Sequence, residues 1–416
     1  MKIALISQPG EVAAPVKQRG SIGIWSEQVC RRLIPADQVV FYGNQKRGSS
    51  SPAAIALMDE GIEYRGVRGR LDQVLRPLRV LDRWGISNPQ RPIFASTFYG
   101  RGYIGQIARD LSQQHCNIAH VHNYSQFVPA LKRMNPQIKT VLHMHCEWLT
   151  QLDPDLIASR LHHTDLVIGC SDYITQKIRD RFPAFADRCQ TVYNGVDPVL
   201  FTPASSPRFD RPPQLLYVGR VSPEKGVHLL IEAFCQIAPQ YPGIELKIVG
   251  SEAVPGRELL VQLSQDPEVA ALARFYGDGS YLQQLKQRVP QEFRPQVHFV
   301  GAVPYQKLSP FYQNADILIN PSLSEAFGMS LVEAMANEVP TIGARVGGMT
   351  TVIRPGETGL LFESDQVDQL AQAILKLLAN PELRRSMGLI GRQRVIDLFS
   401  WDRVADSLQK HYQDLV

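Results

Sequence analysis

The sequence predicts an α/β protein of two doubly wound domains, each built on a parallel sheet, and three observations carry that expectation. Short apolar runs alternate with segments of helical period along the whole chain. The runs are continuously apolar, as in strands covered by helices on both faces. At 416 residues the chain exceeds one ordinary core, and a stretch rich in Pro and Ser, Pro203–Pro213, divides it near the middle.

In the first half the candidate strands are Lys2–Ser7, Gln38–Tyr42, Ile118–His122, Thr140–His143, Leu166–Cys170 and Thr191–Tyr193. In the second they are Leu215–Val218, Leu246–Val249, Val297–Val300, Ile317–Ile319, Thr341–Ile342 and Leu360–Phe362. Helical patterns such as Val227–Ala238, Lys307–Gln313 and Gln366–Leu378 lie between them. We read residues 1–200 and 210–395 as Rossmann-like domains facing across a cleft. Ligands of open α/β sheets bind beyond the carboxyl ends of the strands. Residues 396–416 form a closing helix, with Ser400 as its cap and Trp401, Val404, Leu408 and Tyr412 as its apolar stripe.

Composition narrows the function. Apolar residues make up 44% and charged residues 20%, which is globular. No run of about 18 apolar residues occurs, and Met1–Ser7 is too short for a signal peptide, so the expected location is the cytoplasm. The six cysteines (Cys30, Cys116, Cys146, Cys170, Cys189, Cys235) form no C-x-x-C pair and are expected to be reduced. The net charge of +4 is unevenly placed, at +7 over residues 1–200 and −3 over 201–416. Much of the excess lies in Arg65, Arg68, Arg70, Arg76, Arg79, Arg83, Arg91 and Arg101. Leu71, Val74, Leu75, Leu78 and Leu81 are interleaved with them. This segment is either a solvated face or a surface for phosphate groups or an anionic membrane. It carries no aromatic-interleaved motif for nucleic acid.

Three motifs carry chemistry. After the first strand, Arg19-Gly20-Ser21-Ile22-Gly23 leads into the helical run Ile24–Leu33. Glycines at a helix start suit an anion or simply a turn. The G-x-G-x-x-G fingerprint is absent there, which disfavours a dinucleotide oxidoreductase. In the second half, Gly219-Arg220-Val221-Ser222-Pro223-Glu224-Lys225-Gly226 joins a strand to a helix and sets two cations beside a helix N-terminus, as a diphosphate clamp needs. Third, Asn320–Ala336 places Glu325 in a loop and Glu333 on a helix from about Met329 to Asn337, with Ser324 or Ser330 as its cap. An acid between Val332 and Ala334-Met335 needs a polar partner.

With Tyr193-Asn194-Gly195-Val196-Asp197, the clamp loop and Glu325-x7-Glu333 resemble the retaining glycosyltransferases of family 4, nucleotide-sugar enzymes of the GT-B fold. The resemblance is strongest over about 190–400. It departs at Ser251–Tyr276, which reads as an insertion before Gly277-Asp278-Gly279. The resemblance implies that Glu333 binds the ribose hydroxyls and Glu325 the sugar hydroxyls of the donor. Amides of Phe327, Gly328, Met329, Ser330 and Leu331 would cradle sugar and phosphate, with Gly219, Arg220 and Lys225 at the diphosphate. Gly23 would let the opposite domain approach the β-phosphate, and the base would lie against Gly301-Ala302-Val303. In His143-Met144-His145-Cys146-Glu147, His145 resembles the family's active-site histidine, bonding the sugar 6-hydroxyl. His143, His120, His122, His162 and His163 read as structural, because i, i+2 imidazoles without a third ligand do not make a metal site. The family's closing helix crosses back to the N-terminal domain.

Asp153-Pro154-Asp155 reads as a helix cap with Pro at the first position, not as a D-x-D metal motif. No carboxylate nucleophile is offered by the family pattern. The expected course is same-face substitution, with the departing phosphate taking the acceptor's proton and no cofactor or metal. The expected donor is UDP-glucose or UDP-GlcNAc, with GDP-mannose as the alternative; the acceptor is a sugar, a lipid or a small molecule, lipid-linked or phosphate-bearing if the arginine-rich segment binds it. The competing readings are an epimerase or hydrolase on the same fold, which would consume donor alone, and an inactive sugar-nucleotide-binding member.

Overall fold

The computed structural model describes residues 1–13, 20–45, 55–69, 72, 82, 87–204, 211–277 and 279–416. Two compact units emerge: Met1–Asn194 with Trp401–Val416, and Gly195–Ser400. The boundaries fall at 194/195 and 400/401 rather than at 200 and 396.

The strands of the first unit are β1 (Lys2–Ile6), β2 (Gln38–Asn44), β3 (Ile55–Asp59), β4 (Ile62–Val67), β5 (Ile118–His122), β6 (Lys139–Met144), β7 (Leu166–Gly169) and β8 (Cys189–Thr191). They form one sheet in the order β3-β4-β2-β1-β5-β6-β7-β8. Every pairing is parallel except β3 with β4, which is an antiparallel hairpin. That hairpin corrects the expectation of a wholly parallel sheet. It was missed because β4 alternates buried Ile62 and Tyr64 with half-buried Glu63 and Arg65, and reads as polar. Central strands do read correctly: Ile3–Ile6 of β1 are fully buried. The order reverses between β1 and β5, so the loops after these two strands flank a switch point.

The second unit contains β9 (Gln214–Val218), β10 (Glu245–Val249), β11 (Val297–Gly301), β12 (Ile317–Asn320), β13 (Thr341–Ala344) and β14 (Gly359–Phe362). Its sheet is parallel throughout, in the order β11-β10-β9-β12-β13-β14. The switch point lies between β9 and β12. The Gly219–Gly226 and Pro321–Gly328 loops therefore leave neighbouring strands side by side.

Several acids and arginines of 65–101 are spent internally. Arg65 pairs with Asp110 and Glu63, and Tyr42 donates its hydroxyl to Asp110 at 2.6 Å. Asp72 accepts the Gly102 and Tyr103 amides at 2.8 Å, capping the helix Arg101–Gln114, while Asp82 accepts those of Ile93 and Phe94. Arg91 pairs with Asp153 at 2.9 Å. Arg70, Arg76, Arg79, Arg83 and the interleaved leucines lie outside the described residues, as does most of the 203–213 connection. No helix among the described residues is long and apolar enough to cross a membrane. All six cysteines are free thiols.

The helix Trp401–Leu415 belongs to the first unit, where it lies on the helix Ser21–Leu33. Trp401, Val404, Leu408 and Tyr412 are buried on one stripe. Arg32 pairs with Asp402 at 2.6 Å, and the Tyr412 hydroxyl lies 2.7 Å from His120 Nδ1. Leu408→Ala removes a fully buried side chain and should destabilise the first unit by about 2–5 kcal/mol. Calorimetry should show that unit melting early while the second is unmoved. An unchanged profile would mean the helix is not part of the first core.

Candidate active site

At the switch point of the second unit, two loops are locked together by their backbones and by one ion pair. Leu323 N–H donates to Glu224 O at 2.8 Å. Gly226 sits in the left-handed region at φ 65°, and a Cβ there would lie 1.9 Å from Pro321 O. Only glycine fits that approach. Lys225 Nζ is then placed 2.8 Å from Glu325 Oε2, with both side chains about five-sixths buried at 16% and 17% exposure. Burial opposes ionisation of Glu325, but the Lys225 ammonium and the Phe327 amide hold its carboxyl below the usual range.

Arg220 is different. Its side chain is 52% exposed, and its guanidinium donates to Glu224 Oε1 at 3.0 Å, which also accepts from Ser222 Oγ at 2.7 Å. Tyr217 OH donates to Arg220 O at 2.6 Å, fixing the loop behind it. Glu224 is almost fully buried, and among the described residues its Oε2 meets no donor. This loop keeps one committed cation and one that reaches solvent.

The helix that follows runs from Met329 to Ala336 and is entered through Gly328 at φ 102°. Its cap is this glycine, with no side-chain acceptor, so neither Ser324 nor Ser330 serves. The five expected cradle amides divide. Phe327 N–H faces Glu325 Oε1 at 3.4 Å, and Leu331 N–H is taken by Gly328 O at 3.0 Å. Gly328, Met329 and Ser330 remain as the first donors of the helix, which have no intrahelical acceptor. Phe327's ring is buried edge-on to Phe399 at 5.6 Å. The loop before the helix is held from its far side, where Gly347, at φ 51°, leaves no room for a Cβ against Glu325 O.

Glu333, one turn into the helix, is 5% exposed and accepts a hydrogen bond from Tyr312 OH. Burial raises its carboxyl to about 7, and the tyrosine offsets only part of that. Among the described residues its carboxylate has one side-chain donor, where a carboxylate takes several.

Val303 follows β11 on a half-exposed loop. The inserted segment 251–276 packs on the clamp loop. Val221 N–H donates to Ser251 O at 2.9 Å, and Glu252 accepts from Ser280 Oγ and Leu282 N–H, closing the insertion at its base. Phe275 packs at a tilt against His228, 4.6 Å between centroids. Asp278 lies outside the described residues.

In the first unit, Gly23 is not in a loop. The helix begins at Ser21, so Gly23 is buried in its first turn, with Gly20 as the cap at φ 83°. His145 stands just past β6. Its backbone N–H donates to Asn123 Oδ1 at 2.7 Å, and its Nε2 lies 3.1 Å from His122 Nδ1. Burial pushes His145 down to about 3, with Asn194 partly opposing. The fold also supplies the third imidazole that sequence spacing did not show. Nitrogens of His120, His122 and His143 lie within 4.8 Å of one another, all buried, with Trp25 over the group. The hydrogen bonds to His145 and Tyr412 use this cluster as a network. Asp153 does cap the helix Pro154–Leu161, accepting from Leu156 N–H at 2.9 Å.

Sequence reading missed Tyr312, Asn123 and Gly347. Gly347-Gly348 was the available signal for the last. Nothing in sequence pairs Tyr312 with Glu333 or Asn123 with His145.

Two family profiles tile most of the chain: "Glycosyltransferase Family 4" matches residues 54–200 and "Glycosyl transferases group 1" matches 201–394. Spore coat protein SA of Bacillus subtilis strain 168 is 25% identical over 331 residues, covering 75% of this chain and 82% of that protein. A sucrose-phosphate synthase from Thermosynechococcus elongatus has a TM-score of 0.74 at 24% identity, over 100% of this chain and 98% of that one. Anabaena HepE, solved with UDP-glucose, gives 0.66 at 15% identity over 100% of both chains. Profiles, sheets and motifs agree: the chain belongs to glycosyltransferase family 4 and has the GT-B fold.

Proposed function

We propose that this glycosyltransferase moves a hexose from a nucleotide diphosphate sugar to a sugar, lipid or small-molecule acceptor, with retention and without a metal. The observation that carries the reading is the arrangement at one switch point: an ion-paired Lys225–Glu325, a solvent-reaching Arg220, a helix N-terminus and a donor-poor Glu333. Glu333 offers lone pairs to a ribose diol, Glu325 offers one carboxylate edge to sugar hydroxyls, and the cations face the diphosphate. A uridine diphosphate hexose, as bound in HepE, is our first choice of donor, and GDP-mannose is the second. The chemistry needs the C1–O bond to break with its electron pair going to the diphosphate. The acceptor oxygen then attacks C1 from the same face and passes its proton to the departing phosphate. Arg220, Lys225 and the free helix amides stabilise that anion. Metal independence is supported by Asp153, whose carboxylate is occupied as a cap and by Arg91. An acceptor bearing phosphate or lipid rests on the arginine excess of 65–101, of which Arg65 and Arg91 are already paired.

A thermal-shift panel of UDP, GDP and their sugars, followed by donor turnover with and without acceptor, tests the reading. Turnover equal in both conditions would support the epimerase or hydrolase instead. Arg220→Ala should cut turnover about 10²-fold with the melt unchanged, because the side chain is half exposed. Lys225→Ala should cut turnover comparably and also destabilise the second unit, since Glu325 loses its counter-charge. Wild-type rates in both at saturating donor would remove the clamp.

Glu333 adds a pH signature. Its folded carboxyl holds a proton up to about 7 against 4.5 for the ordinary group. The folded state therefore binds more protons between those values, and ligand-free stability falls as pH rises through that window. Glu333→Gln should flatten the dependence and stabilise the free protein at pH 8 by at most about 3 kcal/mol. Ribose hydroxyls donating to Glu333 favour its charged form, so UDP binding near pH 6 should release a proton. Calorimetry in two buffers of different ionisation enthalpy reads that release, and it should be absent in Glu333→Gln. Equal enthalpies for the wild-type protein in both buffers would put the ribose elsewhere.

A further inference from the structure

The buried histidines of the first unit are an unabsorbed feature. β5 and β6 pair with His122 opposite His143, and His145 follows two residues later on the same side. His143 stacks on His145, centroids 4.1 Å apart, and Trp25 stands edge-on to His122 at 4.9 Å. His122 is 1% exposed. The residue after it, Asn123, is held in the left-handed region at φ 59°, and its side chain takes the His145 amide. The end of β5 thus fixes both ends of His145, the backbone through Asn123 and the ring through His122.

We propose that His122 is a positioning residue that sets the tautomer of His145. The protons of the two rings can be placed in two ways. One proton lies between His122 Nδ1 and His145 Nε2, 3.1 Å apart. If His145 supplied it, a neutral His122 would carry its own proton on Nε2, a buried N–H with no acceptor among the described residues. Asn194 Oδ1, which is buried beside His145 and has no donor, would also stay unsatisfied. If His122 supplies it, His122 Nε2 is left as a bare lone pair, the cheaper group to orphan. The His145 proton then sits on Nδ1, the ring nitrogen not engaged with His122 and so left for Asn194 or a ligand. That assignment leaves Asn194 Oδ1 a possible donor and replaces an orphaned N–H on His122 with a bare lone pair. His145 accordingly presents an N–H donor, fitted to a hydroxyl oxygen of the bound sugar. That last step rests on the proposed role of His145 at the donor.

The test is nitrogen NMR on protein labelled with ¹⁵N-histidine, whose imidazole shifts distinguish a protonated from a bare nitrogen. Wild-type protein should show His145 protonated at Nδ1. His122→Phe keeps a ring against Trp25 but has no donor, and it should move the His145 proton toward Nε2. His122→Gln restores a side-chain N–H and should restore Nδ1. Turnover of whichever donor in the UDP-glucose, UDP-GlcNAc and GDP-mannose panel reacts should fall at least tenfold in kcat for His122→Phe and recover with Gln. A wild-type signal at Nε2, or an Nδ1 signal unchanged in His122→Phe, overturns the proposal. The wild-type spectrum decides it even if a variant fails to fold. Normal turnover in His145→Ala would instead remove the functional reading of His145, which the tautomer measurement does not depend on.

Discussion

A buried ion pair, Lys225–Glu325, ties together the two loops at the switch point of the second unit. Lys225 and Glu325 come from different loops, a hundred residues apart in sequence, and meet because β9 and β12 are neighbours at the switch point. Two charges this far from water are tolerable only together, since each alone would cost several kcal/mol of desolvation. The pair therefore enforces the loop spacing, and the glycines answer to it. Gly226 must pass under Pro321, and Gly347 must pass under Glu325, because any side chain at either point would push the loops apart and break the pair.

Within that frame the polar groups divide by what they still lack. Glu325 is saturated enough to remain charged, whereas Glu333, with Tyr312 alone, is poised between charged and neutral. Both are buried carboxylates eight residues apart, and burial raises both. What separates them is the company of a cation, present for one and absent for the other. An acid short of donors is suited to a ligand that brings hydroxyls, and an acid already paired is suited to orienting one.

Much of this was legible in sequence. Strands such as Ile3–Ile6 and Ile317–Ile319 are buried on both faces, so their apolar runs carry no ambiguity about what they are. The Gly219–Gly226 turn and the loop-and-helix placement of Glu325 and Glu333 were legible because short-range motifs are sequence-local. The hairpin β3–β4 was not, because β4 alternates buried with half-buried residues and spends polar ones on pairs like Arg65–Asp110 that no local pattern records. The helix cap at Gly328 was misread for a related reason. Serines at 324 and 330 have capping chemistry, but tertiary contacts from Gly347-Gly348 decide where the chain turns. His122 was set aside as structural, since its partner His145 lies beyond the end of another strand, β6.

In the proposed reading, Arg220 and Lys225 would divide the labour of one diphosphate. Lys225 reaches a ligand only by sharing itself with Glu325, so its charge is already partly neutralised and its position is fixed. Arg220 is paired with Glu224, yet half its side chain remains in water, and its planar guanidinium can give a phosphate two further hydrogen bonds. On that reading, a phosphate approaching this loop would gain most of its new charge contact from Arg220 and most of its geometric definition from Lys225. That asymmetry follows from burial: a cation that holds the loops together cannot also be the one that moves to meet the ligand.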